Sequence, residues 1–168
     1  MSCTEIYKFN REGFAEKAGS VYNAFRGAWT IWTTMEKRHL PPFTIGGFTL
    51  SRLNTNDKVE EIWRLDANEA VPEHERIVLV STFDKCLVKK EDLPEVIEAF
   101  RKFEGDTSLP EQADILEKLL ADDDCIAVGW NQTSVNSPFW IGFDEEKDEE
   151  VPYNCLTQTD HFWMFKED

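Results

Sequence analysis

Between Ser20 and His39 the chain repeats with helical spacing: Val21, Phe25, Ala28, Trp32, Met35 and His39 follow one another at intervals of four and three. Tyr22 and Trp29 widen that stripe, Ser20 is a suitable N-cap, and Pro41-Pro42 ends it. The spacing predicts a core helix over 20–39, with a shorter one ahead of it around Glu12 to Lys17. Phe43 to Leu50 reads as a strand bent at Gly46-Gly47, and Asn56 or Asp57 caps a helix carrying Val59, Ile62 and Trp63.

The run Arg76 to Phe83 is β-branched and apolar on both faces, which predicts a central strand covered on both sides, and Cys86 to Lys89 continues or neighbours it. "DLPE" (Asp92 to Glu95) and "SLPE" (Ser108 to Glu111) share a helix-start signal: a capping residue, then Pro, with Glu three positions on. They open helices over 92–103 and 110–121, with Leu93, Val96, Ile97, Phe100 and Phe103 on one apolar face and Ile115, Leu116, Leu119 and Leu120 on the other.

The remainder reads as sheet. Cys125 to Trp130 and Phe139 to Phe143 are expected to pair across the polar connection Asn131 to Ser137, and Thr157 to Phe165 supplies a third strand. Alternation puts Ile126, Val128 and Trp130 on one side of the first strand. The other side, Cys125, Ala127 and Gly129, is smooth enough for a helix or an aromatic ring to approach closely. The expected fold class is α+β: one domain over 1–168, an antiparallel or mixed β-sheet packed against three or four helices.

Composition agrees with a packed core. At 41% hydrophobic and 12% aromatic, the chain is not intrinsically disordered. No run of apolar residues is long enough to span a membrane, and Met1 to Phe14 lacks the apolar stretch of a signal peptide, so a cytoplasmic protein is expected. Cys3, Cys86, Cys125 and Cys155 are scattered with no CxxC pair, which suits reduced thiols in a core. In that compartment the sequon at Asn131 has no acceptor role.

Charge adds the sharpest signal. The formal net charge is −15, and it is uneven: residues 1–84 hold ten Lys/Arg against twelve Asp/Glu, residues 85–168 eight against twenty-one. The clusters are Asp122-Asp123-Asp124 and Asp144 to Glu150, the latter expected to be a mobile loop between strands. Such a field repels nucleic-acid phosphates and attracts a basic protein.

Chemistry is sparser. Trp130 and Trp140 flank the amides and hydroxyls of Asn131, Gln132, Thr133 and Asn136, a composition suited either to turn bonds or to a small polar ligand held between aromatic walls. His161 is the sole candidate acid or base; Asp160 beside it points to the opposite face if both lie in a strand. His39 ends a helix and His74 sits in a polar stretch. Zinc-ligand spacing, an EF-hand loop, GxSxG, a P-loop and GxGxxG are all missing, so no cofactor, no metal and no nucleophile motif is indicated.

Three functions are therefore expected, in this order: a non-catalytic interaction protein (inhibitor, immunity-type or mobile-element accessory) that docks a basic protein partner; a small-ligand-binding domain at the Asn131–Ser137 loop; and an enzyme acting there through His161. A DNA mimic is a minor variant of the first. Exposed members among the six tryptophans would suit self-association.

Overall fold

The computed structural model describes residues 2–136 and 139–166, and its fold is α+β. Five strands, β1 (Cys3–Phe9), β2 (Ala15–Tyr22), β5 (Cys86–Lys89), β6 (Ala127–Gln132) and β9 (Phe162–Trp163), form a mixed sheet in the order β2-β1-β6-β5-β9. Its pairs are antiparallel except β5 with β9. Two further pairs, β3 (Phe43–Ile45) with β4 (Phe48–Leu50) and β7 (Ile141–Asp144) with β8 (Glu149–Pro152), are hairpins outside the main sheet.

The helices are α1 (Ala28–His39), α2 (Val59–Trp63), α3 (Glu73–Val80), α4 (Leu93–Lys102) and α5 (Leu109–Leu120). Most of the core lies between them and one face of the sheet, where Ile6, Val88, Val128 and Trp130 meet Ile31, Met35, Leu79, Phe100 and Leu116. A ten-residue helix such as α4 is marginal alone. Its buried Leu93, Val96, Ile97 and Phe100 each contribute about 1.5–3 kcal/mol on leaving water. The opposite sheet face carries a second, smaller core of Phe9, Ala15, Leu87, Ala127, Trp140, Tyr153 and Cys155.

Several readings of the sequence need correction. Residues 20–39 are not one helix: Ser20 to Tyr22 end β2, and α1 starts at Ala28 after a turn in which Ala24 and Phe25 both take positive φ, 46° and 67°. Phe25, expected in the core, is 95% exposed. The predicted helix over 12–17 is instead the turn into β2.

Arg76 to Phe83 is not a strand but most of α3 and its exit. All-round apolarity arises because the helix is enclosed, with Ile77, Val78, Leu79 and Val80 all buried. Phe43 to Leu50 is not a bulged strand but a hairpin, whose Gly46-Gly47 turn takes φ of 59° and 84°, where a Cβ is disfavoured.

Finally, β6 does not pair with β7; it lies between β1 and β5, while β7 pairs with β8. The helices at 92–103 and 110–121 do form, but neither Asp92 nor Ser108 caps its helix with a side chain. The Ser108 hydroxyl instead bonds Asn23, eighty-five residues away.

Candidate functional site

The polar segment after Trp130 is not a free loop. Asn131 and Gln132 are the last residues of β6 and are buried. Gln132 Oε1 accepts from the Thr4 hydroxyl at 2.7 Å, and Asn131 Nδ2 donates to Glu5 at 3.0 Å. Thr133 exchanges bonds with the backbone of Cys3, and Asn136 Oδ1 accepts from the Gln132 amide at 3.0 Å. Asn136 Nδ2 donates to Asp84. Ser137, the last residue of the predicted loop, lies outside the described residues.

Trp130 and Trp140 do not bracket these groups. They sit on opposite faces of the sheet, Trp130 under the helices and Trp140 in the second core, joined by a 2.8 Å bond from Trp140 Nε1 to the Trp130 carbonyl. The smooth face does admit an aromatic ring: a Cβ on Gly129 would lie 2.8 Å from Trp140 Cζ2. Asn136 lines a small cleft of about 280 Å³ with Trp32, Trp63 and Phe83, and neither Asn131 nor Gln132 is among its lining residues.

His161 lies beside, not opposite, its neighbour's partner. The Tyr153 hydroxyl donates to Asp160, and its oxygen is 3.3 Å from His161 Nδ1. Burial holds His161 below its ordinary value against the upward pull of Asp160. The Lys85 ammonium holds Asp160 low, and burial, then the Asp160 bond, raises Tyr153. The cavity nearby is lined by Trp163 and Cys155, not by His161.

The two acidic clusters differ. Lys8 reaches Asp122 at 2.9 Å and Asp124 at 3.5 Å, and Arg11 Nε and Lys90 Nζ bond the carbonyls of Asp123 and Asp122. That cluster is a compensated corner of the fold.

Asp144 to Glu150 is the tip of the β7–β8 hairpin, six carboxylates against Lys147 alone. It is an ordered turn: Asp144 Oδ1 accepts from the Glu146 and Lys147 amides at 3.0 and 3.3 Å, and Asp148 takes φ of 53°. The Lys147 side-chain bond holds the Asp144 carboxyl below its usual range.

The root of this hairpin is fixed by buried aromatics. Trp140 and Tyr153 flank it with ring centroids 5.1 Å apart, Tyr153 N donates to the Trp140 carbonyl, and Phe9 packs edge-on to both. Beyond the root the arm leaves Ile141 and Phe143 on one face, 44% and 58% exposed, opposite Pro152 and Glu150. Sequence reasoning singled out the charges but treated Phe139 to Phe143 as a main-sheet strand. The signal available was the polar partner run Glu149-Glu150, which cannot line a core.

Among the described residues, no group of three or more His, Cys, Asp or Glu could hold a metal ion, and no helix is long and apolar enough to cross a membrane. Compared with protein-family models, curated proteins and solved structures, the chain finds no match.

Proposed function

We propose that this is a non-catalytic interaction protein whose β7–β8 hairpin engages a basic protein partner. The supporting observation is the arm itself: a rigidly rooted two-stranded hairpin that exposes Ile141 and Phe143 beneath a tip of six carboxylates and one lysine. An apolar strip rimmed by like charges is complementary to a basic segment. The aliphatic stems of Lys or Arg cover Phe143 and Ile141 while their heads reach the carboxylates. Carboxylates at the tip raise the encounter rate, and the apolar strip sets the residence time.

The test uses a peptide alternating Lys or Arg with Leu or Phe, titrated calorimetrically against the full chain at two salt concentrations. Binding should weaken as salt rises and should fall about tenfold or more in Phe143→Ser, by the rule for a buried interface anchor. A neutral peptide of the same apolar pattern should bind far less. Equal binding of the neutral peptide, or indifference to Phe143→Ser, would reject this role for the hairpin.

A further inference from the structure

Three stretches of chain bring aromatic rings to the cleft of about 280 Å³ that Asn136 lines: Trp32 from α1, Trp63 from the end of α2 and Phe83 from the exit of α3. Trp32 and Trp63 meet edge to face, with ring centroids 5.6 Å apart and planes at 69°. They form a corner, not a slot between parallel faces. A flat ring stacks on one such wall only, whereas a round group touches both. Trp32 is fixed by a 2.8 Å bond from Nε1 to the Thr82 hydroxyl, which in turn donates to the Leu79 carbonyl at 2.6 Å. Trp63, whose buried Nε1 has no hydrogen-bond partner among the described residues, is placed by packing.

The charge at this corner is one carboxylate. Asp84 is the single charged group among the described residues that line the cleft, and Asn136 Nδ2 donates to it while Asn136 Oδ1 is anchored on the Gln132 amide. The cations next to lining residues in sequence are engaged elsewhere: Lys85 pairs with Asp160, and Arg64 with Glu60 at 3.0 Å. Among the described residues no ion pair engages Asp84.

We propose that this cleft is an aromatic cage for a quaternary ammonium headgroup, its methyl groups against Trp32, Trp63 and Phe83 and its charge facing Asp84. Aromatic faces attract a cation through the ring quadrupole, and the attraction strengthens when the cation is desolvated, as a methylated ammonium is more readily than a bare one. The cleft lies just below the usual size of whole-ligand sites, about 300–1,000 Å³, which suits a headgroup whose remainder stays in solvent. The net charge of −15 favours the approach of a cation. The observation is independent of the β7–β8 hairpin, which contributes no lining residue.

The test titrates the full chain at constant ionic strength with choline, its neutral carbon isostere dimethylbutanol, and ethanolamine, following heat and the indole Nε1–H signals by NMR. Choline should bind saturably at one site and move the Trp32 and Trp63 signals, while those of Trp140 and Trp163, in the second core, stay in place. Dimethylbutanol and ethanolamine should each bind about tenfold more weakly, the first lacking the charge and the second the methyl groups. Acetylated trimethyllysine amide separates a protein-borne headgroup from a free one: binding of either quaternary cation supports the cage, and the tighter of the two names the source.

Asp84→Asn, at an exposed position, keeps an oxygen for Asn136 and should cost choline several-fold in affinity while leaving dimethylbutanol unchanged. Phe83→Leu should weaken choline about tenfold. Isostere or ethanolamine binding as tightly as choline, signal shifts confined to Trp140 and Trp163, choline binding that ignores both substitutions, or no saturable binding of either quaternary cation would overturn the assignment.

Discussion

Replacing Gly129 by Ala should destabilise the protein although alanine is the better residue for an ordinary strand. A Cβ built there lies 2.7 Å from Leu87 Cδ2 and 2.8 Å from Trp140 Cζ2, against about 3.5–4.0 Å for relaxed carbon contacts. Neither neighbour can give way. Leu87 is fully buried, and Trp140 is pinned by its bond to the Trp130 carbonyl and by the edges of Phe9, Phe139 and Tyr153.

Overpacking of this kind costs about 1–3 kcal/mol. The lower chain entropy of alanine in the unfolded state returns about 0.5–1 kcal/mol. A net loss of about 1–2 kcal/mol is expected, or a fall in melting temperature of about 2–8 °C for a chain of this length. Gly19 supplies the control: its Cβ would meet Ile115 Cδ1 at 2.9 Å, but that is the terminal methyl of a half-buried side chain on α5 and can rotate aside.

Urea unfolding followed by tryptophan emission should rank Gly129→Ala clearly below Gly19→Ala, with slopes unchanged. Near-UV circular dichroism should show the Trp140 environment altered only in the former. Equal stability of the two variants, or a neutral Gly129→Ala, would refute the argument that Trp140 is locked against this floor.

Two further outcomes follow from titratable groups. His161 is held below its ordinary 6.5, so the stability its neutral form provides is complete above that pH and is lost as pH falls through the folded value; urea midpoints should drop in that window and His161→Asn should flatten the drop. Asp160, held below 3.8 by Lys85, adds its own loss only at still lower pH. Among the cysteines, Cys86, Cys125 and Cys155 are buried with raised thiols and Cys3 is half-buried, so a thiol reagent should label Cys3 first in the native protein and all four in denaturant.

The sequence reveals its local elements better than their partners. Helices α4 and α5 were readable because their apolar faces are one-sided and Pro follows each start, and β5 because it is short and flanked by charge. Residues 76–83 misled because a helix enclosed on every side has no polar face to set its period. Residues 20–27 misled because Val21 and Phe25 fit a helical stripe, while the buried Asn23 and the positive φ of Ala24 and Phe25, which force the chain out of β2, leave no hydropathy trace. At the candidate site, the charges of 144–150 were legible from composition alone. That Lys8 and Arg11 compensate Asp122 to Asp124, and that among the described residues nothing comparable covers the hairpin tip beyond Lys147, depends on pairings more than a hundred residues apart.

The register of β1 also dictates a timetable. Thr4 to Phe9 lie between β2, made almost at once, and Gln132 to Ala127 of β6. At synthesis rates of about 5–20 residues per second, roughly 5–22 s separate the emergence of these two partners. Throughout that interval a β1–β2 ribbon offers an open edge, with Ile6 and Phe9 uncovered, while α3, α4 and α5 can already associate through contacts close in sequence. The nascent chain is therefore most exposed to wrong strand pairing at its beginning, and the step that ends the danger is the arrival of a strand from the last quarter of the protein.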